Sequence, residues 1–514
     1  MSDSKPSTCP PRSRVAVRYQ EILKERESNP DRITYGGEDL KDLDAALVVL
    51  STEAGESPRS WTAEKKWIVT VMVGLYCFLA PFTSTIFAPS LPAMMADVGE
   101  TNPIRGALQV AVFLLAFAVA PIFLAPLSEF FGRTIVLRTG NVVFCAFCIG
   151  AGFSQTTAQL AVCRFFSGAG GSASLAVLGG VLTDIWDLRT RAKASAAIGT
   201  AVMLGPILGP VCGGWMSERA SWRWTCWVPA IVSIVLEVGA QFTLKESHVP
   251  ILLSRRLAKE QNQRPDDQLY TVLTLNSEEP DRHPATSLIG SAIRPVMYLI
   301  LDPALMLLSL YYAFVFGVLY LVIVTFHIVL GDGYGHSEGI IGVDLLSVGV
   351  GALIGMLVTA KVLDIIYKRQ VQGDYKPESR LLSAFPGALL VAVGLFIYGF
   401  SALKTHFIVP LLGMAIFSIG VTNTYLAIQL YIIDSFDFPA SALAGLSVLR
   451  CLFAGVFPLF GDQLFDTLGI GWGVGMLAFL SIGLGLPFLP IMYAHGLRLR
   501  NIGKRNRQRF GWAM

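Results

Sequence analysis

Long apolar segments alternate with short polar turns along most of the chain, from about residue 67 to residue 494. Each apolar segment has the roughly 20 residues that an α-helix needs to cross a bilayer core about 30 Å thick. A polar segment, Glu246 to Asp302, divides the series into six segments before it and six after it. The pattern therefore predicts twelve membrane-spanning helices. They lie near 67–90, 106–127, 136–155, 158–182, 194–216, 224–245, 303–328, 340–363, 382–403, 407–432, 441–463 and 472–494.

Lysine and arginine are distributed unevenly between the two sets of connecting segments. If the N-terminus is cytosolic, the cytosolic segments hold 34 of the 40 Lys and Arg residues, whereas the outer loops hold 4. Cytosolic loops of membrane proteins carry the excess of positive charge, so both termini are expected in the cytosol. The predicted parts are a disordered cytosolic tail 1–60, a six-helix bundle 61–245, a cytosolic central loop 246–302, a second six-helix bundle 303–495 and a cytosolic tail 496–514.

The composition excludes several classes of protein. Of 514 residues, 53% are hydrophobic and 15% are charged, and the net charge of +3 is too small to indicate nucleic-acid binding. The chain has no G-x-x-x-x-G-K-[ST] segment, and its polar segments are too short for an ATPase domain. The cysteines lack the spacing of metal ligands. We therefore expect a gradient-driven transporter, not an enzyme, with no cofactor and no metal site.

An acid, a glycine and a base occupy the turn between spans 2 and 3, where 127–138 reads LSEFFGRTIVLR. The segment AKVLDIIYKR at 360–369 repeats the spacing of four residues from acid to base, between spans 8 and 9. Charges at a helix end can pair with bases and helix N-termini of a neighbouring bundle. Such pairs would form when the cytosolic side closes and break when it opens, whereas the alternative is an ordinary surface turn. The predicted gating residues are Glu129, Gly132, Arg133, Asp364 and Lys368.

Span 5 contains a segment rich in glycine and proline, GPILGPVCGG at 205–214. Small residues four positions apart let another helix approach closely. The prolines remove backbone donors and bend the helix. We expect this segment to act as a hinge and a seal against leak, with ordinary helix packing as the alternative. Its predicted functional residues are Gly205, Pro206, Gly209, Pro210, Gly213 and Gly214.

A few charged and polar residues lie inside the predicted spans, where a charge costs about 2.5–3.5 kcal/mol on insertion scales. Glu237 in span 6 and Asp344 in span 8 are candidate proton carriers, or else counter-ions of an arginine. Arg450 in span 11 is a candidate ligand for an anionic group or a carbonyl. Spans 7 and 10 supply polar and aromatic candidates for a cavity lining. These are Tyr311, Tyr312, Tyr320, Asn423, Tyr425 and Gln429.

Residues 56–500 resemble the major facilitator superfamily, and more narrowly its fungal twelve-spanner drug:proton antiporters. The turn at 125–133 is similar to the superfamily signature G-x-L-x-D-x-x-G-R, with Ala125 for Gly and Glu129 for Asp. The segment at 164–186 resembles the family's R-F-x-x-G motif, and 205–214 resembles the antiporter motif G-x-x-x-G-P-x-x-G-G. Further similar segments are ESPRSW at 56–61, SWRWTCWVPA at 221–230, KESHVPILLSRR at 245–256, PESRL at 377–381 and ASALAGLSVLRCLFAGVFPLF at 440–460.

The resemblance implies an all-α membrane protein whose twelve helices form two pseudo-symmetric six-helix bundles. It implies export of a drug, toxin, secondary metabolite or organic acid in exchange for protons, by alternating access. The expected partners are the small-molecule substrate, protons and the lipid bilayer, without nucleic acid. A monomer in the plasma membrane is expected, with the vacuolar membrane as the alternative.

The family motif also places an arginine at Arg164, inside span 4. The resemblance implies a part in proton coupling or substrate binding, and the alternative is a structural arginine bonded to backbone carbonyls.

Three other functions remain as alternatives: a proton-coupled uptake symporter of the same fold, a membrane-embedded enzyme and a non-transporting sensor. The antiporter-like segment at 205–214 disfavours uptake. The six histidines show no H-x-x-x-H spacing, which disfavours a membrane-embedded enzyme.

Overall fold

The structure is a computed structural model of the chain that describes residues 47–48, 57–263, 270–271, 284–370, 377–436 and 439–509. The predicted tail 1–60 lies mostly outside these residues, and so does part of the predicted central loop, so what was predicted for them stays a prediction. Two short segments, β1 (Leu47–Val48) and β2 (Tyr270–Thr271), pair in parallel. The rest of the described secondary structure is helical.

Six long helices and one short helix form the first half of the molecule. Asn102 and Pro103 illustrate how the helices begin, because the Asn102 side chain accepts a hydrogen bond from the Ile104 amide and proline fits the first helical position. The helices are α1 (Ala63–Ile86), α2 (Leu91–Val98), α3 (Pro103–Phe131), α4 (Arg133–Gly152), α5 (Thr157–Ile185), α6 (Leu188–Arg219) and α7 (Trp224–Thr243).

Two helices in the connecting segment, α8 (Val249–Gln263) and α9 (Pro284–Leu301), lead to the second half. Its helices are α10 (Pro303–His327), α11 (Glu338–Asp344), α12 (Leu346–Gln370), α13 (Ala384–Ser401), α14 (Ile408–Ser435), α15 (Pro439–Val456) and α16 (Gly461–Arg509). A π-helical turn, Ile328–Asp332, follows α10, and 3-10 turns precede α13 (Pro377–Ser383) and α16 (Phe457–Phe460).

The described residues include 11 continuous segments that are long and apolar enough to cross a membrane. The last of them, Ser441–Arg509, has 69 residues. At 1.5 Å per residue it would be about 100 Å long, several times the thickness of a bilayer core. Its helix breaks at Gly469, which has φ +73°. This segment must therefore cross more than once.

The contacts of four glycines show the two crossings of that segment, the first of them beginning at Gly445, which lies against Pro295 just before α10. Gly461 lies against Thr325 near the end of α10, Gly485 lies against Tyr311, and Gly503 lies against Asp302 at the start of α10. The chain after Gly469 therefore runs back along α10, and the described residues cross twelve times when this segment is counted twice, as predicted.

The predicted C-terminal tail 496–514 is helical as far as Arg509, because α16 continues beyond the span. Arg507 donates to the Asp302 carboxylate over 2.9 Å, and Asp302 also accepts hydrogen bonds from the Ala304 and Leu305 amides at the start of α10. Burial raises the pKa of the Asp302 carboxyl, although these donors oppose the shift. The end of α16 is thus packed against the second half.

Each half has its own buried apolar core. Residues between Trp61 and Leu244 form one core, and residues between Tyr298 and Met492, together with Ala88, form another. The halves meet where α3 packs on α15 and where α6 packs on α11 and α12. The two contacts are equivalent under the six-span repeat, because span 2 meets span 11 and span 5 meets span 8.

Candidate functional site

A cavity of about 160 Å³ lies between the two halves. Its walls come from α1, α3, α5 and α6 of the first half and from α10, α12, α14 and α15 of the second. Spans 1, 2, 4 and 5 thus line the cavity together with spans 7, 8, 10 and 11, which follow them by six positions in the predicted repeat. Most of the lining is apolar. The polar lining residues are Ser84, Thr85, Tyr312, Tyr320, Ser418, Thr422, Tyr425 and Arg450.

Arg450 on α15 is the one formally charged side chain among the described residues that line the cavity. Its guanidinium carbon lies 4.8 Å from the ring centroid of Phe316 and 5.6 Å from that of Tyr425. Tyr425 stacks on Tyr312 with 5.1 Å between the ring centroids. The Arg450 Nε atom is buried and has no hydrogen-bond partner among the described residues. This wall combines flat aromatic surface with a single positive charge.

The structure brings some of the other predicted lining residues to the cavity and not others. Tyr320 lines it, and its hydroxyl lies 3.2 Å from the Ser84 hydroxyl of the first half. Tyr311 is buried instead beside Gly485 of α16. Asn423 is buried beside α13, and Gln429 is half-buried outside the lining.

Arg164 lies within the first half and does not line the cavity. Its Nε donates to the carbonyl of Gln109 and its Nη1 to the carbonyl of Thr83, both over 3.2 Å. Its guanidinium carbon lies 4.6 Å from the ring centroid of Phe87 and 5.0 Å from that of Phe113. The contacts are those of the alternative reading, in which this arginine ties spans 1, 2 and 4 together through backbone carbonyls.

Glu237 on α7 accepts three hydrogen bonds inside the first half. Arg138 Nε lies 2.8 Å from one carboxylate oxygen, and the Tyr76 hydroxyl and the Asn141 amide each lie 3.0 Å from the other. The side chain does not line the central cavity. Glu237 therefore matches the alternative that sequence analysis left open, an acid serving as the counter-ion of an arginine.

Asp344 at the end of α11 is paired with a histidine that sequence analysis did not select. The Nδ1 atom of His336 lies 2.6 Å from the Asp344 carboxylate, and the Phe407 ring packs edge-on against the imidazole. Asp344 is 7% exposed and does not line the cavity. The pair lies close to the non-helical turn that precedes α11, at the rim of the bundle.

We name the two ends of the bundle by a residue at each, the Arg133 side and the Glu218 side. At the first, Arg133 is nearly buried between three partners. Its side chain donates to the Ser128 hydroxyl over 2.5 Å and lies 3.6 Å from the Asp184 carboxylate and 3.8 Å from that of Glu129. All these partners belong to the first half, so the ion pairs order the ends of spans 2, 3 and 4.

Glu246, just after α7, caps the start of α4. Its carboxylate accepts hydrogen bonds from the amides of Arg133 and Thr134, the first residues of α4, over 2.9 and 3.2 Å. Gly132 makes this approach possible, because its φ is +107° and a Cβ there would lie 2.3 Å from a Glu246 oxygen. Glycine is required at this turn for both reasons. The end of span 6 is thereby fixed to the turn between spans 2 and 3.

The second half has a comparable ion pair at the Arg133 side. Arg380 Nε donates to the Asp434 carboxylate at the end of α14 over 3.0 Å, as Arg133 faces Asp184 at the end of α5. Asp364 is exposed at the end of α12. Lys368 lies in the same helix, and its side chain falls outside the described atoms.

The glycines of span 5 pack α6 against α1 of the same half. A Cβ would lie 2.8 Å from the Phe82 amide at Gly205, 2.4 Å from the Thr85 hydroxyl at Gly209 and 1.9 Å from the Ile86 carbonyl at Gly213. The three positions share one helix face, as their spacing predicts. Pro206 and Pro210 line the cavity.

The Glu218 side is closed by contacts between α6 of the first half and α11 of the second. Glu218 accepts a hydrogen bond from the Gly339 amide over 2.8 Å, which caps α11 from across the interface. A Cβ at Gly214 would lie 2.2 Å from the Glu338 carbonyl. Backbone atoms of the two halves therefore pack tightly at this end, next to the cavity.

Two related bundles around a central cavity, closed at one end, define a membrane transporter. The sequence profile of the Major Facilitator Superfamily matches residues 73–458, and the chain belongs to this superfamily.

Named relatives agree with the prediction of a transporter and not an enzyme. The protein named Efflux pump radE from Floropilus chiversii is 34% identical over 485 residues, which cover 93% of this chain and 86% of the relative. Efflux pump vrtL from Penicillium aethiopicum is 35% identical over 455 residues, covering 87% and 89%.

Solved structures share the fold. The partially occluded inward open xylose transporter XylE from E. coli has a TM-score of 0.59 and 16% identity, covering 84% of this chain and 98% of its own. A bacterial homologue of the human lysosomal transporter Spinster has a TM-score of 0.58 and 15% identity, covering 87% and 99%.

Proposed function

We propose that the protein exports a small organic molecule in exchange for protons, by alternating access between two related bundles. The observation that carries the proposal is the cavity between the halves, closed toward the Glu218 side by the contacts of α6 with α11. Relatives that are named efflux pumps support export over uptake. The direction of flux in cells distinguishes export from proton-coupled uptake.

The Arg133 side is proposed to face the cytosol, and the protein is proposed to be a monomer of the plasma membrane. The distribution of lysine and arginine along the chain supports this orientation. We also propose that two six-helix bundles, 61–245 and 303–495, are joined by a cytosolic loop, 246–302. The tails 1–60 and 496–514 are proposed to be cytosolic. In this orientation the cavity is closed to the outside in the structure, and α11 lies at the outer rim.

The proton is proposed to act at the pair formed by His336 and Asp344. Histidine titrates between pH 5 and 8 more readily than any other side chain. His336 precedes α11 and Asp344 ends it, and the first turn of α11 is the segment that Glu218 holds from the other half. Protonation from the outside would alter the charge of this pair and loosen the seal at the first turn of α11. The external proton would thus favour substrate release outside, and proton release to the cytosol would reset the cycle.

Collapse of the proton gradient by a protonophore is expected to stop efflux from intact cells. The variant Asp344→Asn, which cannot ionise, is expected to lose at least tenfold in gradient-driven efflux, on the order of 1.4 kcal/mol or more. It should retain exchange of substrate for substrate, because the cavity is untouched. Asp332→Asn, on the preceding turn, is the matched control. Efflux that survives both the protonophore and Asp344→Asn would reject proton exchange.

A further inference from the structure

We propose that the central cavity binds flat aromatic organic acids in their anionic form, and that Arg450 holds the acidic group. The inference rests on the proposed function, because it names the class of molecule that the exporter carries. It depends on the charge of the cavity, on the geometry around Arg450 and on the character of the remaining wall.

No described carboxylate compensates the charge of Arg450. The described cavity lining contains no carboxylate, and no described carboxylate forms an ion pair with Arg450. The two acids predicted inside the spans have other partners, since Glu237 pairs with Arg138 and Asp344 with His336. A charged group away from water requires a partner of opposite sign. An anionic ligand supplies that partner.

Aromatic rings hold the Arg450 guanidinium on one side. Phe316 and Tyr425 lie within 6 Å of it, and Tyr312 stacks against Tyr425. Stacking of this kind orients the planar guanidinium group and leaves its edge for hydrogen bonds. The buried Nε atom has no partner among the described residues. A carboxylate can accept from such an edge through two parallel hydrogen bonds, whereas a phenolate can accept only through its single oxygen.

The remainder of the wall suits an aromatic ring system better than a polyol or a cation. Phe113 and Phe117 of the first half and Leu319 of the second contribute apolar surface to the cavity of about 160 Å³. A polyol would leave many hydroxyls unpaired against this surface. A cation would meet Arg450 and find no lining carboxylate. The lining therefore selects a ligand with a flat apolar body and one negative end.

Three probes of similar size and different charge test the inference: 2-naphthoate, neutral 2-naphthamide and cationic 2-naphthylmethylammonium. Their dissociation constants are measured by calorimetry on the purified full chain in lipid nanodiscs, without any gradient. We expect wild-type protein to bind 2-naphthoate about tenfold tighter than the amide, or about 1.4 kcal/mol, and to bind the cation most weakly. Arg450→Gln should bind the anion and the amide equally. Arg450→Lys should keep part of the preference for the anion.

Arg219→Gln is the matched control, because Arg219 is exposed on the Glu218 side and stacks on Trp215 outside the lining. It should leave all three dissociation constants unchanged. Equal affinities in wild type, a preference for the cation, or an undiminished preference in Arg450→Gln would overturn the inference. If Arg450→Gln does not fold, the wild-type order of affinities decides alone. If the three probes bind in the expected order but transport does not depend on a proton gradient, only the proposed exchange of substrate for protons is contradicted.

Discussion

Gly213→Ala is expected to abolish efflux and to lower the thermal stability of the purified protein. The added methyl group would lie 1.9 Å from the Ile86 carbonyl oxygen of α1, and a backbone atom cannot rotate away. Spans 1 and 5 would have to separate, and overpacking of this kind costs about 1–3 kcal/mol. The seal formed by α6 would be displaced with it.

Gly199→Ala provides the matched control on the same helix. A Cβ at Gly199 meets nothing within 4 Å, so this variant should keep wild-type stability and efflux. Stability is measured as the midpoint of thermal unfolding in detergent, and efflux is measured in cells at equal surface expression. If Gly213→Ala transports normally at wild-type stability, spans 1 and 5 are not packed as described.

Arg164→Leu is expected to be the most destabilising single substitution in the first half. It would leave the carbonyls of Gln109 and Thr83 without their donor and open a cavity between two aromatic rings. Together these losses amount to about 3 kcal/mol or more. Arg164→Lys should recover little, because an ammonium group cannot serve both carbonyls with the geometry of a guanidinium group.

The yield of monodisperse protein and the dissociation constant for 2-naphthoate separate the two readings of Arg164. A structural arginine predicts a large loss of yield and an unchanged dissociation constant in the fraction that folds. Arg219 is exposed, so Arg219→Leu should change neither the yield nor the dissociation constant. Normal yield with weakened binding would instead assign Arg164 to the substrate site.

The fold was largely predictable from the sequence, because span length and charge bias depend on the bilayer and not on tertiary detail. The break between spans 11 and 12 was also predictable. In the structure α16 continues across most of the predicted gap, and the positive φ of Gly469 interrupts it there. The arginine at the start of span 3 could be located, but its partner Asp184 could not. Asp184 and Glu246 both fall in segments that resemble the family, and only the fold shows that they meet Arg133.

The orientation of individual side chains was the least predictable feature. Tyr311 and Tyr312 are neighbours, yet one packs on α16 and the other lines the cavity. Helices of this kind are apolar on every face, so the sequence carries little amphipathic signal to indicate which face meets the cavity. For the same reason the acid Glu237 could be recognised as an unusual residue, but its position beside Arg138 could not.

Distances between spin labels at the two ends of the bundle test alternating access most directly. One pair of genetically encoded labels replaces Glu129 and Ile365 on the Arg133 side, and a second pair replaces Arg219 and Lys404 on the Glu218 side; all four positions are exposed. Both distances are measured in nanodiscs at alkaline and at mildly acidic pH. We predict reciprocal changes, with the second distance lengthening in acid as the first shortens. Distances that stay constant, or that lengthen together, would contradict rocking of the two halves about the cavity.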